Sequence, residues 1–272
     1  MPQGVAGGRP FDYTIVIDAG SSGSRLFVYR VHGEGEQLRL HGTPVGKVSP
    51  GLSTFAGRPT GAADYLRPLF EEAAALIPGE HHPHTPVYVK CTAGMRLVHE
   101  EEQAAIYDHI YEALALDDSF PFALWRHNVG TIDGDMEAYY AVLSANYLEG
   151  RIDARLVPTG HASGEIGALD MGGASTQIIF KRPHQAVGGG RGHGGGGETE
   201  AAGAATAAEG GGGGSGGGAG GGRRRRAAAA AAGGAAAAAA TATGAGRGGL
   251  RGHGKVEPHH FWGYSYLGCR GG

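Results

Sequence analysis

The chain has 272 residues and a formal net charge of −3, so no overall basicity argues for nucleic acid as a partner. Glycine supplies 54 residues, and residues 187–254 are almost wholly Gly, Ala and Arg. That composition cannot bury enough apolar surface to offset the entropy of ordering it. The stretch is therefore expected to be disordered, with some helix over residues 227–240, leaving roughly 200 residues for folded structure.

Residues 14–17 and 26–31 are rich in Val, Ile and Phe and read as two strands of a hairpin. Residues 37–40 extend that sheet, and residues 48–60 form a loop punctuated by Pro and Gly. Leu66, Leu69, Phe70 and Ala73 recur at helical spacing, which predicts a helix over residues 62–77, stopped by Pro78 and Gly79. His81, His82 and His84 fall in a Pro-containing loop with no metal-ligand spacing and read as surface. Residues 87–91 form a buried strand containing the Cys91 thiol, which ends in the small-residue turn Thr92–Arg96. A second helix spans residues 100–116, a strand residues 122–125 and a third helix residues 133–148. Residues 168–170 and 177–180 make a second hairpin, and residues 261–272 close the chain. Strands alternating with helices imply an α/β fold.

Two cysteines make no disulfide framework. No run approaches the roughly 20 apolar residues of a membrane helix. The first 13 residues lack the apolar core of a signal peptide. Arg223, Arg224, Arg225 and Arg226 read as part of a solvated insertion, and no nucleic acid is expected as a partner.

The chain repeats itself. An apolar run leads into Asp18-Ala19-Gly20-Ser21-Ser22-Gly23-Ser24, and a second one into Asp170-Met171-Gly172-Gly173-Ala174-Ser175-Thr176. Glycines let backbone N–H groups approach an anion, and Ser and Thr hydroxyls add donors to phosphate oxygens. An Asp at a strand end repels phosphate directly but can hold a hydrated divalent cation that meets the phosphates. Two such loops suggest two halves facing each other across a polyphosphate. The expected architecture is a duplicated, actin-like (ribonuclease H-like) α/β fold: two lobes, a cleft between them, and a truncated second lobe. Residues 1–150 would form the first lobe, 151–186 the start of the second, 187–254 the insert and 255–272 a remnant of the second lobe.

Four segments sharpen the reading. The run from Asp18 to Arg25 resembles the first conserved region of the apyrases, the nucleoside triphosphate diphosphohydrolases. Lys90-Cys91-Thr92-Ala93-Gly94-Met95-Arg96-Leu97 resembles the second region, the run from Glu137 to Leu148 the third, and the run from Asp170 to Gln177 the fourth. Val48-Ser49-Pro50-Gly51-Leu52-Ser53 is similar to the signature of the Golgi and lysosomal subgroup. Ala138 and Val142 stand where the family carries Gly and Trp. Gly263-Tyr264-Ser265-Tyr266-Leu267-Gly268 resembles the segment that follows the fourth region, after which Cys269 and Arg270 break the pattern and the fifth region is absent.

The resemblance implies hydrolysis of the terminal phosphate of nucleoside di- and triphosphates with Ca²⁺ or Mg²⁺, in the Golgi or another secretory-pathway lumen, with membrane association only through a segment missing from this chain. It makes Glu137 the general base, with Ser175 and Gln177 placing the water and Thr92 and Ala93 closing the site beside it. Ser21, Ser22, Gly23, Ser24 and Arg25 would bind phosphate at one loop, and Gly172, Gly173, Ala174, Ser175, Thr176 and Gln177 at the other. Asp18 and Asp170 would hold the metal through water. Arg25 and Arg96 read equally well as surface ion pairs. The alternative is a truncated, catalytically inactive protein that binds nucleotide or phosphate without turnover.

Overall fold

The computed structural model describes residues 11–34, 37–181 and 261–267. The insert expected over residues 187–254, with its helix over 227–240, lies outside the described residues. Strands β1 (Tyr13–Gly20), β2 (Gly23–His32) and β3 (Arg39–Val48) form an antiparallel meander. Strands β4 (Pro86–Cys91) and β5 (Ala123–Thr131) add to it in parallel, giving the order β3-β2-β1-β4-β5. Helices α1 (Ala62–Leu76) and α3 (Glu100–Ala115) cover one face. Ile15, Ile17, Leu26, Val87 and Val89 from the strands pack there against Leu66, Leu69, Phe70, Ile106, Ile110 and Leu114 from the helices. The α1 stripe predicted from helical spacing is that buried face.

A second sheet repeats the meander. Strands β6 (Ala168–Met171), β7 (Ser175–Lys181) and β8 (Phe261–Leu267) pair antiparallel in the order β6-β7-β8. In both sheets the first hairpin carries the Gly-Ser turn and a third antiparallel strand follows, so the duplicated α/β architecture expected from the sequence is present. Helix α4 (Gly134–Leu148) packs on this second sheet, burying Ala138, Val142 and Leu143 with Ile179 and Phe261. Ala138 and Val142 are both fully buried. The two departures from the family pattern therefore sit in a packed interface rather than at the surface.

Three elements differ from the sequence reading. Strand β3 runs to Val48 through Gly42, Pro44 and Gly46, residues that suppress a strand signal. It is tolerated because β3 is an edge, paired to β2 across a bulge at Leu26/Phe27. Strand β5 extends past Trp125 through Arg126, His127 and Asn128. Its polar residues hide the pattern, yet Asn128 is buried and its Nδ2 donates to the Val87 carbonyl at 3.0 Å. The histidine loop is a 3₁₀ turn in which His82 is half-buried, its ring 5.0 Å from that of Phe122. Cys91 is fully buried as expected, and burial pushes its thiol up to about 12.

Candidate active site

The first loop is a two-residue turn, Ser21-Ser22, between the ends of β1 and β2. It is held from three sides by glycines. A Cβ at Gly51 would lie 2.5 Å from the Ser21 carbonyl oxygen, one at Gly94 2.8 Å from Ser21 Cα, and one at Gly173 2.9 Å from Ser21 Oγ. Gly94 belongs to the short helix α2 (Ala93–Arg96) after β4, and Gly173 to the second loop. The two phosphate-type loops thus meet at Ser21, which is the juxtaposition that the sequence repeat suggested. At Gly23 the close carbonyl of Val48 leaves no room for a side chain.

The loop residues are not equivalent. Ser22 is exposed and Ser21 half-buried. Ser24 is fully buried, its hydroxyl accepting from Tyr65 Oη at 3.4 Å, so its side chain does not reach the loop mouth. Arg25 lies directly across from Asp18 on β2. In the second loop Gly172 and Gly173 are exposed, and the Gly172 N–H donates to the Ser175 carbonyl at 2.8 Å, which closes the turn. Ala174 and Thr176 are half-buried, and Ser175 and Gln177 are buried. Thr92 caps α2 and its N–H donates to the Ala19 carbonyl at 3.1 Å, tying the second region to β1 beside Asp18. Ala93 is buried beneath it.

Three carboxylates converge here. Asp18 lies near the end of β1, Asp170 on β6 and Glu137 in the first turn of α4. Asp133 caps that helix by accepting from the Met136 N–H at 2.7 Å, which fixes where Glu137 emerges. Burial raises the Asp18 carboxyl to about 6, against the lowering field of Arg25, and the Asp170 charge raises it further. Burial also lifts Glu137, which is lowered by its ion pair with Arg96 and raised by the charges of Asp170 and Asp18. The Asp170 charge acts on both Asp18 and Glu137, and Asp18 on Glu137, so the three acids share one field.

Arg96 corrects the sequence reading of a surface pair: it and Glu137 expose only 13% and 14% of their side chains. The residues lie 41 positions apart, and no local pattern joins them. Ser265 was also missed as a site residue. Gln177 lies across from Asp170 on one side and Ser265 on the other, and its Nε2 donates to Ser265 Oγ at 3.1 Å. The same rung in the first sheet is Asp18, Arg25 and Lys47.

Among the described residues no three His, Cys, Asp or Glu side chains form a direct metal-binding group. The donor set still suits a hard divalent cation held through water. Asp18 and Asp170 are oxygen donors close enough for the Asp170 charge to act on Asp18, and burial makes the Asp18 carboxylate costly to ionise despite Arg25. No helix among the described residues is long and apolar enough to cross a membrane.

Comparison with solved structures aligns 62% of the chain with 38% of a nucleoside triphosphate hydrolase from Neospora caninum, at 20% identity and a TM-score of 0.44. Ectonucleoside triphosphate diphosphohydrolase 7 of Homo sapiens is 40% identical over 191 residues, covering 63% of this chain and 31% of its own length. Nucleoside-diphosphatase mig-23 of Caenorhabditis elegans is 36% identical over 197 residues, covering 67% of this chain and 35% of its own length. Guanosine-diphosphatase of Schizosaccharomyces pombe is 37% identical over 169 residues, covering 62% of this chain and 29% of its own length. The chain thus spans about a third of the length of these curated relatives. Residues 9–193, well over half the chain, match the family model that unites both phosphate-type loops with the Glu137 helix, and the chain belongs to the GDA1/CD39 (nucleoside phosphatase) family.

Proposed function

We propose that the chain hydrolyses the terminal phosphate of nucleoside di- and triphosphates by attack of a base-activated water. The observation that carries this reading is the meeting of two Gly-Ser loops at Ser21 and Gly173, beside a unit of three carboxylates. The diphosphatase names of two relatives favour nucleoside diphosphates as substrates.

In this reading Glu137 takes the proton from water. Its Arg96 partner keeps part of the population ionised although burial opposes it. Ser21, Ser22 and Gly23 at one loop, and Gly172, Gly173, Ala174 and Thr176 at the other, offer N–H and O–H donors to phosphate oxygens. Arg25 adds a positive charge beside Asp18. Ser175 and Gln177 hold the water, and Thr92 and Ala93 close its side of the site. A divalent cation such as Ca²⁺ or Mg²⁺, held through water by Asp18 and Asp170, would neutralise charge as the phosphate leaves. Phosphoryl transfer is mostly positioning and electrostatic stabilisation, so two fixed donor loops and one base suffice as the chain's contribution. The resemblance to Golgi and lysosomal members supports a secretory-pathway lumen as the place of action.

The test is phosphate release from UDP, GDP and ATP with Ca²⁺ or Mg²⁺, comparing the chain with Glu137→Gln. Release that needs the metal and falls at least about 100-fold in the variant supports the reading. Release unaffected by the variant, or none from the folded chain, sinks it.

A further inference from the structure

Gln177 is 1% exposed, and its carboxamide is half-partnered. Nε2 donates to Ser265 Oγ at 3.1 Å, while Oε1 is buried and accepts no hydrogen bond from the described residues. A buried amide oxygen left without a donor is costly, and it persists where a ligand donor is meant to meet it. The neighbour on the other side of Gln177 is Asp170, a carboxylate on β6. Asp170 acts on both Asp18 and Glu137, so Gln177 stands beside the acid group, and something must anchor its carboxamide there.

Ser265 is placed to do so. It lies on β8 in register with Gln177, and the start of α4 comes close to its hydroxyl. A Cβ at Gly134 would overlap Ser265 Oγ and come within 2.9 Å of Arg96 Nη1. Gly134 is the first residue of the helix that carries Glu137. The Ser265 hydroxyl therefore bridges the base helix and the Gln177 strand. In the first sheet the equivalent rung places Arg25 and Lys47 beside Asp18, so the two halves differ in that a cation in one is replaced by an oriented amide in the other.

We propose that Ser265 is a positioning residue for the hydrolysis. Through its hydrogen bond with Gln177 Nε2 the hydroxyl anchors the carboxamide to β8, leaving Oε1 to accept an O–H from the attacking water. A water held by two acceptors, Glu137 and Gln177 Oε1, keeps a lone pair free for phosphorus. This inference rests on the hydrolase reading and adds Ser265 to it.

The experiment compares the full chain with Ser265→Ala, Ser265→Thr, Gln177→Ala and the Ser265→Ala/Gln177→Ala double variant. Phosphate release is measured as kcat and KM, with the side-chain amide signals of Gln177 followed by ¹⁵N NMR. Ser265→Ala is expected to lower kcat by about 10- to 100-fold with KM changed less than about twofold. Ser265→Thr, which keeps the hydroxyl, restores most of the rate. In the Gln177→Ala background the Ser265 change adds nothing, because the two act as one unit. The Gln177 amide protons, protected from solvent exchange in the wild type, lose protection in Ser265→Ala. A wild-type kcat in Ser265→Ala, or multiplicative effects in the double variant, overturns the proposal. An active wild type whose rate survives Gln177→Ala overturns the role given to Gln177 and the proposal with it. If the wild type releases no phosphate, the hydrolase reading fails by itself. The amide signal then decides alone: protection unchanged by Ser265→Ala overturns the orienting contact, and protection lost supports it.

Discussion

Asp18 is held in a state that favours its proton, and this has a consequence for stability. Its folded value of about 6 lies above the ordinary 3.8, so between these values the folded chain binds more proton than the unfolded one. Stability from this group is therefore greatest below about pH 4 and falls as pH rises through 6, by on the order of 3 kcal/mol in all. Asp18→Asn removes the penalty: metal-free, it is expected to melt higher than the wild type at pH 8 and the same at pH 4, read by thermal unfolding. Ca²⁺ or Mg²⁺ should raise the melting temperature of the wild type at pH 8 and leave that of Asp18→Asn nearly unmoved. Glu137 obeys the same logic in the rate. Burial raises it and Arg96 restrains it, so activity falls on the acid side as Glu137 gains a proton at a pH above the usual glutamate value. Arg96→Ala withdraws the restraint, and the acid limb of kcat against pH is expected to move to higher pH. An unmoved limb would mean that another group titrates there.

At the scale of elements, α4 and β8 come close together at Gly134 and Ser265. Gly134→Ala places a methyl group on the Ser265 hydroxyl, and overpacking there should cost about 1–3 kcal/mol by denaturant unfolding. Ser265→Gly should recover part of that loss, although the double variant still lacks the Gln177 contact. Within the first core Leu66 is fully buried on α1, and Leu66→Ala is expected to cost about 2–5 kcal/mol without changing KM. Helices α1 and α3 and strand β4 were legible in sequence because each reports its burial in periodic apolar residues. The Gly-Ser turns and Glu137 were legible because chemistry and turn geometry share the same few residues. Strands β3 and β5 were legible only at their first residues, because edge strands tolerate Gly, Pro and polar residues that erase the alternation. The Arg96–Glu137 pair and the Gln177–Ser265 contact were invisible for another reason: they join residues 41 and 88 positions apart and exist only once the fold is closed.

At the scale of the whole molecule, the two sheets are dressed differently. The first buries apolar residues beneath α1 and α3 and also on its other face, at Val16, Phe27, Tyr29 and Tyr88, whereas among the described residues the second buries only the face toward α4. Its other face shows Leu169, Met171, Ile178, Phe180, Tyr264 and Tyr266, all between 39% and 61% exposed. Exposed apolar patches of this kind promote association. Ile178→Thr and Phe180→Thr together are expected to reduce concentration-dependent light scattering while changing stability by less than about 1 kcal/mol. A large loss of stability would show that this face is covered.

The approach of Gly173 to Ser21 has one more consequence. Ser21 Oγ lies within 2.9 Å of where a side chain at 173 would begin, a span that a sulfur–sulfur bridge can cover. Ser21→Cys with Gly173→Cys, in a chain with Cys269 changed to Ser, would make the cleft a redox gate. Cys91 is buried and would not compete. Oxidised, the two halves are stitched at the mouth where phosphate would enter; a reductant opens the stitch, and turnover of the same variant is expected to be higher reduced than oxidised.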